Sequence, residues 1–222
     1  MKNFFKACLL FGVVTLLFSP VYGSSSKDIA LVLKTRGKVQ VGLRGQRTWK
    51  PARRGIRLDS GEKVRTGNKA LAALMFTDDR TLLKVRSNSN VTIQGKREKK
   101  GIVKRISLAF GQLWAKVTKQ HTRMRVETPS GVATVKGTEF NALYADGQFY
   151  IFCQKGLIEF FNQFGTMLVG ANEMARMVQG SPPERIEGDP NAIFDLSDDE
   201  AQELKIEFED EDGNKKTLIL DF

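Results

Sequence analysis

The sequence predicts an all-β chain, an antiparallel β-sandwich or a related fold, with a short helix and a β-hairpin appended at the C-terminus. Three observations predict it. From Ile29 to Val178, apolar and β-branched runs of five to eight residues recur between Gly, Asn and Asp. No segment there keeps a 3.6-residue period beyond two turns. Turn signals sit where hairpins need them, and regular short strands so punctuated favour packed antiparallel layers.

The chain opens with a targeting pattern. Lys2 and Lys6 precede an apolar run, Ala7 to Phe18, that is too short to span a bilayer comfortably. Ser19-Pro20 breaks it, and small residues follow at the −3 and −1 positions of a cut after Gly23. Residues 1–23 are expected to be a signal peptide cleaved near Gly23/Ser24, which places the mature chain in the periplasm or outside the cell. An uncleaved inner-membrane anchor is the competing reading. Cys8 leaves with the signal, so Cys153 is the only thiol of the mature chain and no intramolecular disulfide can form. Its neighbours, Tyr150-Ile151-Phe152, make it a buried strand thiol.

The body, residues 24–178, reads as strand after strand. "KALAALMF" and "TLLKV" flank a turn at Asp78-Asp79. "VTIQ" passes through the basic "GKREKKG" into "IVKRISLAF". "FNALY" turns at Ala145-Asp146-Gly147 into "QFYIFC", where Asp-Gly supplies the positive φ of a tight hairpin. "GLIEFF" and "GTMLVG" follow. Residues 179–190 hold three of the six prolines and no apolar period, and read as a linker. Residues 191–222 read as an appendage. Ser197-Asp198-Asp199-Glu200 fits a capping box for a helix near Asp198 to Glu203. "LKIEFE" and "TLILDF" then form a hairpin around "DEDGNKK", a unit that is marginal unless it packs on something.

Charge is segregated. Residues 24–188 contain 30 basic and 13 acidic residues, whereas residues 189–222 contain 12 acidic and 3 basic. A basic body with an acidic tail invites intramolecular docking. Arg44, Arg47, Lys50, Arg53, Arg54 and Arg57 surround Trp49 in "LRGQRTWKPARRGIR", a candidate patch for an anionic partner. The export signal argues against nucleic acid. Anionic envelope material, an acidic protein or the acidic tail remain, against the plain alternative of a solvated basic face.

Catalytic constellations are missing. His121 is the only histidine, and no His/Cys/Asp grouping has metal-ligand spacing. Asp78-Asp79 read as turn formers. Ser130 lacks a nucleophile elbow, and Gly131 and Gly137 lack the following helix of a phosphate loop. The chain is expected to be no enzyme and to need no cofactor. A carbohydrate-binding role through Trp49 or Trp114 is an alternative if those rings are exposed; the core is the favoured place for Trp114.

"GEKVRTGNKALAAL", "RTLLKVRSNSNVTI", "LAFGQLWAKV", "MRVETPSGVATVKGTEF" and "QKGLIEFF" follow one another in order. Together they resemble the FecR-like domain family, over about Thr35 to Val178. The matching positions are Thr66, Gly67, Gly111, Thr128, Pro129, Lys136, Gly137, Thr138, Phe140 and Gly156. Lys136 departs from the family's usual Arg, so a bidentate contact is not carried over. The resemblance implies a jelly-roll-related, sandwich-like periplasmic module without catalytic residues. In its best-known members a transmembrane helix joins that module to a cytoplasmic σ-factor-binding segment. Here only the targeting pattern precedes Ser24, so the expectation is a stand-alone exported member without a stable transmembrane span. It would bind an envelope protein or glycan.

Overall fold

The computed structural model describes residues 28–118, 123–197, 203–209 and 215–221. Nine strands make the first half of the body: β1 (Asp28–Arg36), β2 (Val39–Gly42), β3 (Trp49–Pro51), β4 (Arg57–Asp59), β5 (Glu62–Thr66), β6 (Leu71–Phe76), β7 (Leu82–Val85), β8 (Asn90–Glu98) and the long β9 (Gly101–Lys116). Eight make the second: β10 (Met124–Thr128), β11 (Gly131–Val135), β12 (Glu139–Ala145), β13 (Gln148–Lys155), β14 (Leu157–Asn162), β15 (Gly165–Gly170), β16 (Glu173–Val178) and β17 (Glu184–Ile186). The all-β expectation holds. Among the described residues the only helical element is a 3₁₀ turn at Pro190–Ala192.

The strands form one continuous hydrogen-bonded network folded into two layers. β9 belongs to both: its first part pairs with β8 and β10, and from Gly111 onward it pairs with β12, joined from Leu113 by β7. Ile93, Ile106 and Val126 from one layer share a single core with Leu74, Leu83 and Phe140 from the other. Pairing is antiparallel throughout the body except at β9–β10, which is parallel, with Arg105 opposite Arg125. The reason is topological. β9 ends in the far layer, and the chain returns to start β10 beside the beginning of β9, so both strands point the same way.

β9 also changes phase. Ile102, Ile106 and Leu108 are buried at even positions, whereas Leu113, Ala115 and Val117 are buried at odd ones. A register shift opposite Asn90 and Val91 inserts the extra residue, and one extra residue exchanges the two faces of a strand. Phe110 is left half-exposed at this irregularity.

The expected hairpins β6–β7 and β12–β13 form, and the successive strands β8–β9 and β14–β15 also pair as hairpins. Asp146 and Gly147 take φ of 50° and 73°, as a tight hairpin requires. Within the stretch read as a linker, β17 pairs with β16. Beyond it Phe194 is buried with Phe152 and Met174 on the outer face of the layer. The Gln112 amide holds that segment: its Nε2 donates to Asp195 O at 2.9 Å and its Oε1 accepts from Asp195 N at 2.9 Å. Of the helix expected over Asp198 to Glu203, residues 198–202 lie outside the described residues and Glu203 opens a strand. That strand, β18 (Glu203–Glu209), pairs with β19 (Lys215–Asp221), placing Leu204 opposite Leu220 and Ile206 opposite Leu218. The expected terminal hairpin is thus present.

Candidate functional site

Eight of the ten motif positions lie where the chain passes between layers, and Thr128 and Pro129 form the β10–β11 turn within one layer. Thr66 ends β5. Its hydroxyl donates to Arg86 O and accepts from Ser89 N at 3.0 Å, while Gly67 N donates to Lys38 O at 2.9 Å. Ser89 in turn receives Gln112 N on its Oγ at 2.9 Å. Gly111 closes this corner. Its φ is +95°, and a Cβ there would lie 2.5 Å from Ser89 Cα. Only glycine lets β9 pass over the Ser87–Ser89 turn.

The second corner joins β10, β11 and β12. Thr128 Oγ1 accepts from Ser130 N and Gly131 N, both at 3.3 Å, and so holds the turn through Pro129. Ser130 Oγ donates to Gly147 O at 2.6 Å, which commits that hydroxyl to the β12–β13 turn. Gly137 takes φ +67° as the chain leaves β11, Thr138 Oγ1 donates to Leu157 O at 3.2 Å, and Phe140 re-enters the core fully buried. Gly156 faces Thr138 at φ +98°, and a Cβ there would lie 3.0 Å from Thr138 Oγ1 and 3.1 Å from Gly137 O. Lys136 is the one charged motif position, and it is exposed, as are Pro129 and Gly156.

The Arg44–Arg57 region is a β2–β3 hairpin and the turn after it. Arg44, Arg47, Lys50, Arg53, Arg54 and Arg57 are all exposed. Two of its members are already engaged. Arg57 Nη1 donates to Asp28 Oδ2 at 2.6 Å, and Trp49 lies against Gly42 under the Arg65 guanidinium, 4.1 Å from the ring centroid. Trp114 is buried, donating from Nε1 to Gln154 Oε1 at 2.9 Å with Lys84 Nζ 4.7 Å from its ring. This corrects the exposed-aromatic alternative at Trp114: the phase change in β9 turns the ring onto the outer face of its layer, where Leu33, Ala73 and Leu82 cover it. Cys153 is buried, and burial followed by the Glu173 charge pushes its thiol up to about 11, the direction of an unreactive group.

Sequence reasoning missed an interior ion cluster. Asp78 and Asp79 do form the β6–β7 turn, but they are not solvated. Lys104 Nζ, 1% exposed, donates to Asp78 Oδ2 at 2.9 Å, Asp79 Oδ2 at 2.7 Å and Ile102 O at 3.2 Å. Asp78 Oδ2 also accepts from Ile102 N at 2.7 Å. The signal was present: Lys104 stands between Ile102 and Ile106 in the apolar phase of β9.

A groove of about 750 Å³ lies beside that cluster, on the outer side of β9 and β10. Lys99, Lys100, Arg105, Arg123 and Arg125 line it with Glu98 and Val103. Among the described residues no helix is long and apolar enough to cross a membrane, and no three His, Cys, Asp or Glu side chains converge as metal ligands. These surfaces can bind anions by charge and hydrogen bonding. The hydroxyls of Thr66, Ser89, Thr128 and Ser130 are engaged with the backbone.

The model of the FecR protein family matches residues 62–159. No curated protein matches the sequence. Two crystal structures, each of a candidate anti-sigma factor from Parabacteroides distasonis, are similar to it. One has 13% identity and a TM-score of 0.50, the other 14% and 0.49, and each match covers 57% of this chain and 60% of that one. The chain therefore spans about 60% of the length of those proteins, and at such identity the first likeness is one of fold. The span from β5 to β14 holds all ten motif positions and both corners, and it bears out the resemblance read in the sequence: residues 62–159 match the FecR domain model.

Proposed function

We propose that the chain is a FecR-type regulator that works by binding: a non-catalytic, exported scaffolding module of the cell envelope that recognises a macromolecular partner, protein or glycan. The observation that carries this reading is the FecR domain, whose motif hydroxyls and glycines fix the backbone at the layer crossings while the surface keeps its cations. In this reading residues 1–23 are a cleaved signal peptide and residues 24–178 the binding body. Residues 179–190 are a linker that pairs with the body through β17, and residues 191–222 are an acidic appendage whose Phe194 packs on it. The Arg44–Arg57 hairpin and Lys136 are the proposed contact positions, and the hairpin presents most of its charge to solvent.

The test is capture from an envelope fraction with the mature chain as bait. One stoichiometric envelope protein or glycan, lost on replacing Arg47, Lys50, Arg53 and Arg54 by Gln, is the expected result. A hydrolase or transferase activity abolished by a single substitution would overturn the reading. A second reading, an inner-membrane-anchored signalling regulator, draws on the likeness to candidate anti-sigma factors. N-terminal sequencing separates the two: a start at Ser24 removes the anchor.

A further inference from the structure

We infer that the groove on the outer face of β9 and β10 is a phosphate-binding site, taking a phosphomonoester or diphosphate group. The inference gives the proposed binding role a site and a ligand chemistry and rests on that role. It uses none of its claims about location or about the Arg44–Arg57 hairpin.

The parallel register of β9 and β10 builds the site. Arg105 is the direct neighbour of Arg125, and Met124 is the neighbour of Lys104. Lys104 and Met124 point into the core, so Arg105, Arg123 and Arg125 all point outward. Adjacent strands lie about 4.8 Å apart and same-face residues of one strand about 6.6 Å apart. Three guanidinium stems therefore rise from a triangle with sides of that size. Lys99 and Lys100, from the β8–β9 turn, close one end of the groove.

Like charges directly opposite each other on neighbouring strands are unfavourable. Only part of this charge is answered by the protein. Arg105 pairs with Glu127 at 3.0 Å, and Glu98 pairs with Lys96 at 3.8 Å. Among the described residues, Arg123, Arg125, Lys99 and Lys100 have no carboxylate partner. Beneath the groove, Lys104 is held by both Asp78 and Asp79, so the floor is a pinned strand and does not yield to the repulsion above it.

The chemistry selects the ligand. Arg pairs with phosphate oxygens through two parallel N–H donors, and three such forks from one small triangle suit an anion with three or more oxygens better than a two-oxygen carboxylate. Val103, exposed in the middle of the groove, gives the non-phosphate part of the ligand an apolar surface.

Inorganic pyrophosphate is the probe, titrated into the full-length mature protein by calorimetry at fixed ionic strength. The expected result is saturable binding, weakened at least tenfold by the double substitution Arg105→Gln and Arg125→Gln. The paired substitution Arg53→Gln and Arg54→Gln, on the distant hairpin, should leave it within twofold. Binding unchanged in the first variant, equal losses in both, or equal affinity for sulfate would overturn the inference. Each of these makes the effect one of general charge. A parallel arm uses vesicles containing phosphatidate. Binding to pyrophosphate and vesicles alike identifies a lipid headgroup as a source, and binding to pyrophosphate alone identifies a soluble phosphorylated compound. Binding to vesicles alone overturns the site. Thermal unfolding of the Gln variants checks that they fold. If envelope capture succeeds while pyrophosphate fails to bind, this inference falls and the proposed function stands.

Discussion

The two faces of β9 use the same residue types in opposite ways. On the inner face Lys104 makes three hydrogen bonds at the β6–β7 turn and is almost completely buried. On the outer face, one residue on, Arg105 is exposed beside Arg125 with a single carboxylate partner. An interior charge holds structure only when its geometry is complete, because desolvating it costs several kcal/mol. An exterior charge fixes little and remains available. Residue type therefore does not distinguish architecture from function in this chain; the face does.

The inner face should fail hardest. Lys104→Met leaves the Asp78 and Asp79 carboxylates buried together without their cation. A loss of about 3–5 kcal/mol is expected in urea unfolding. Adding Asp78→Asn and Asp79→Asn should recover much of it. If Lys104→Met alone cost less than about 1 kcal/mol, the claim that this cluster pins the turn would be wrong. Gly111→Ala comes next. It puts a non-glycine residue at φ +95° and a methyl group against the Ser87–Ser89 turn, so a loss of about 2–4 kcal/mol is expected. Gly45→Ala, where φ is also positive but no atom lies within 4 Å of the added carbon, isolates the backbone part and should cost less.

These two sites also show what the sequence could carry. Strand identity and hairpin partners depend on local alternation and turn chemistry, so the β6–β7 and β12–β13 hairpins were legible, and β8, β9, β14 and β15 were legible as strands. The phase change in β9 was only half legible. Its apolar residues shift from even to odd positions within "ISLAFGQLWAKV", but the bulge that links the phases is a relation to β8, which is not local. The parallel β9–β10 pair is non-local too, so the approach of Arg105 to Arg125 could not be read from two basic runs twenty residues apart. The motif residues were legible as a set, while their role was not: Thr66 and Ser89 meet across a distance of 23 residues.

Titration tests the inner face more gently. Burial raises the Glu62 carboxyl above the ordinary range; the Asp59 N–H it accepts at 3.1 Å opposes this, and the Asp59 charge adds to it. The folded state then holds the proton more tightly than the unfolded one. The resulting stabilisation is fully present below the ordinary carboxylate pKa and is lost as pH rises through the folded value. At neutral pH the ionised group is a burden. Glu62→Gln keeps an acceptor for Asp59 N and removes the charge, so it should raise Tm at pH 7 and change it less at pH 4. A lower Tm at pH 7 would show that the negative charge strengthens the bond from Asp59 N by more than its desolvation costs.

The smallest effect is expected at Lys136, and it separates position in a motif from role in the fold. Its neighbours are committed: Val135 is buried, Gly137 sits at φ +67°, and Thr138 donates to Leu157 O. Lys136 itself is exposed and has no carboxylate partner among the described residues. Exposed side chains away from caps and special backbone angles change stability by no more than about 0.5 kcal/mol. Lys136→Ala should therefore unfold with the parent chain, while Gly137→Ala, one residue on, should lose about 1–2 kcal/mol through its backbone angle alone. If Lys136→Ala destabilised as much as Gly137→Ala, its alkyl stem would be part of the corner, and the whole motif would be structural. With stability unchanged, a loss of partner capture by the same variant would assign the contact to this lysine. Lys136 is the one charged side chain among the ten motif positions, and these two measurements together decide whether it serves the corner or a partner.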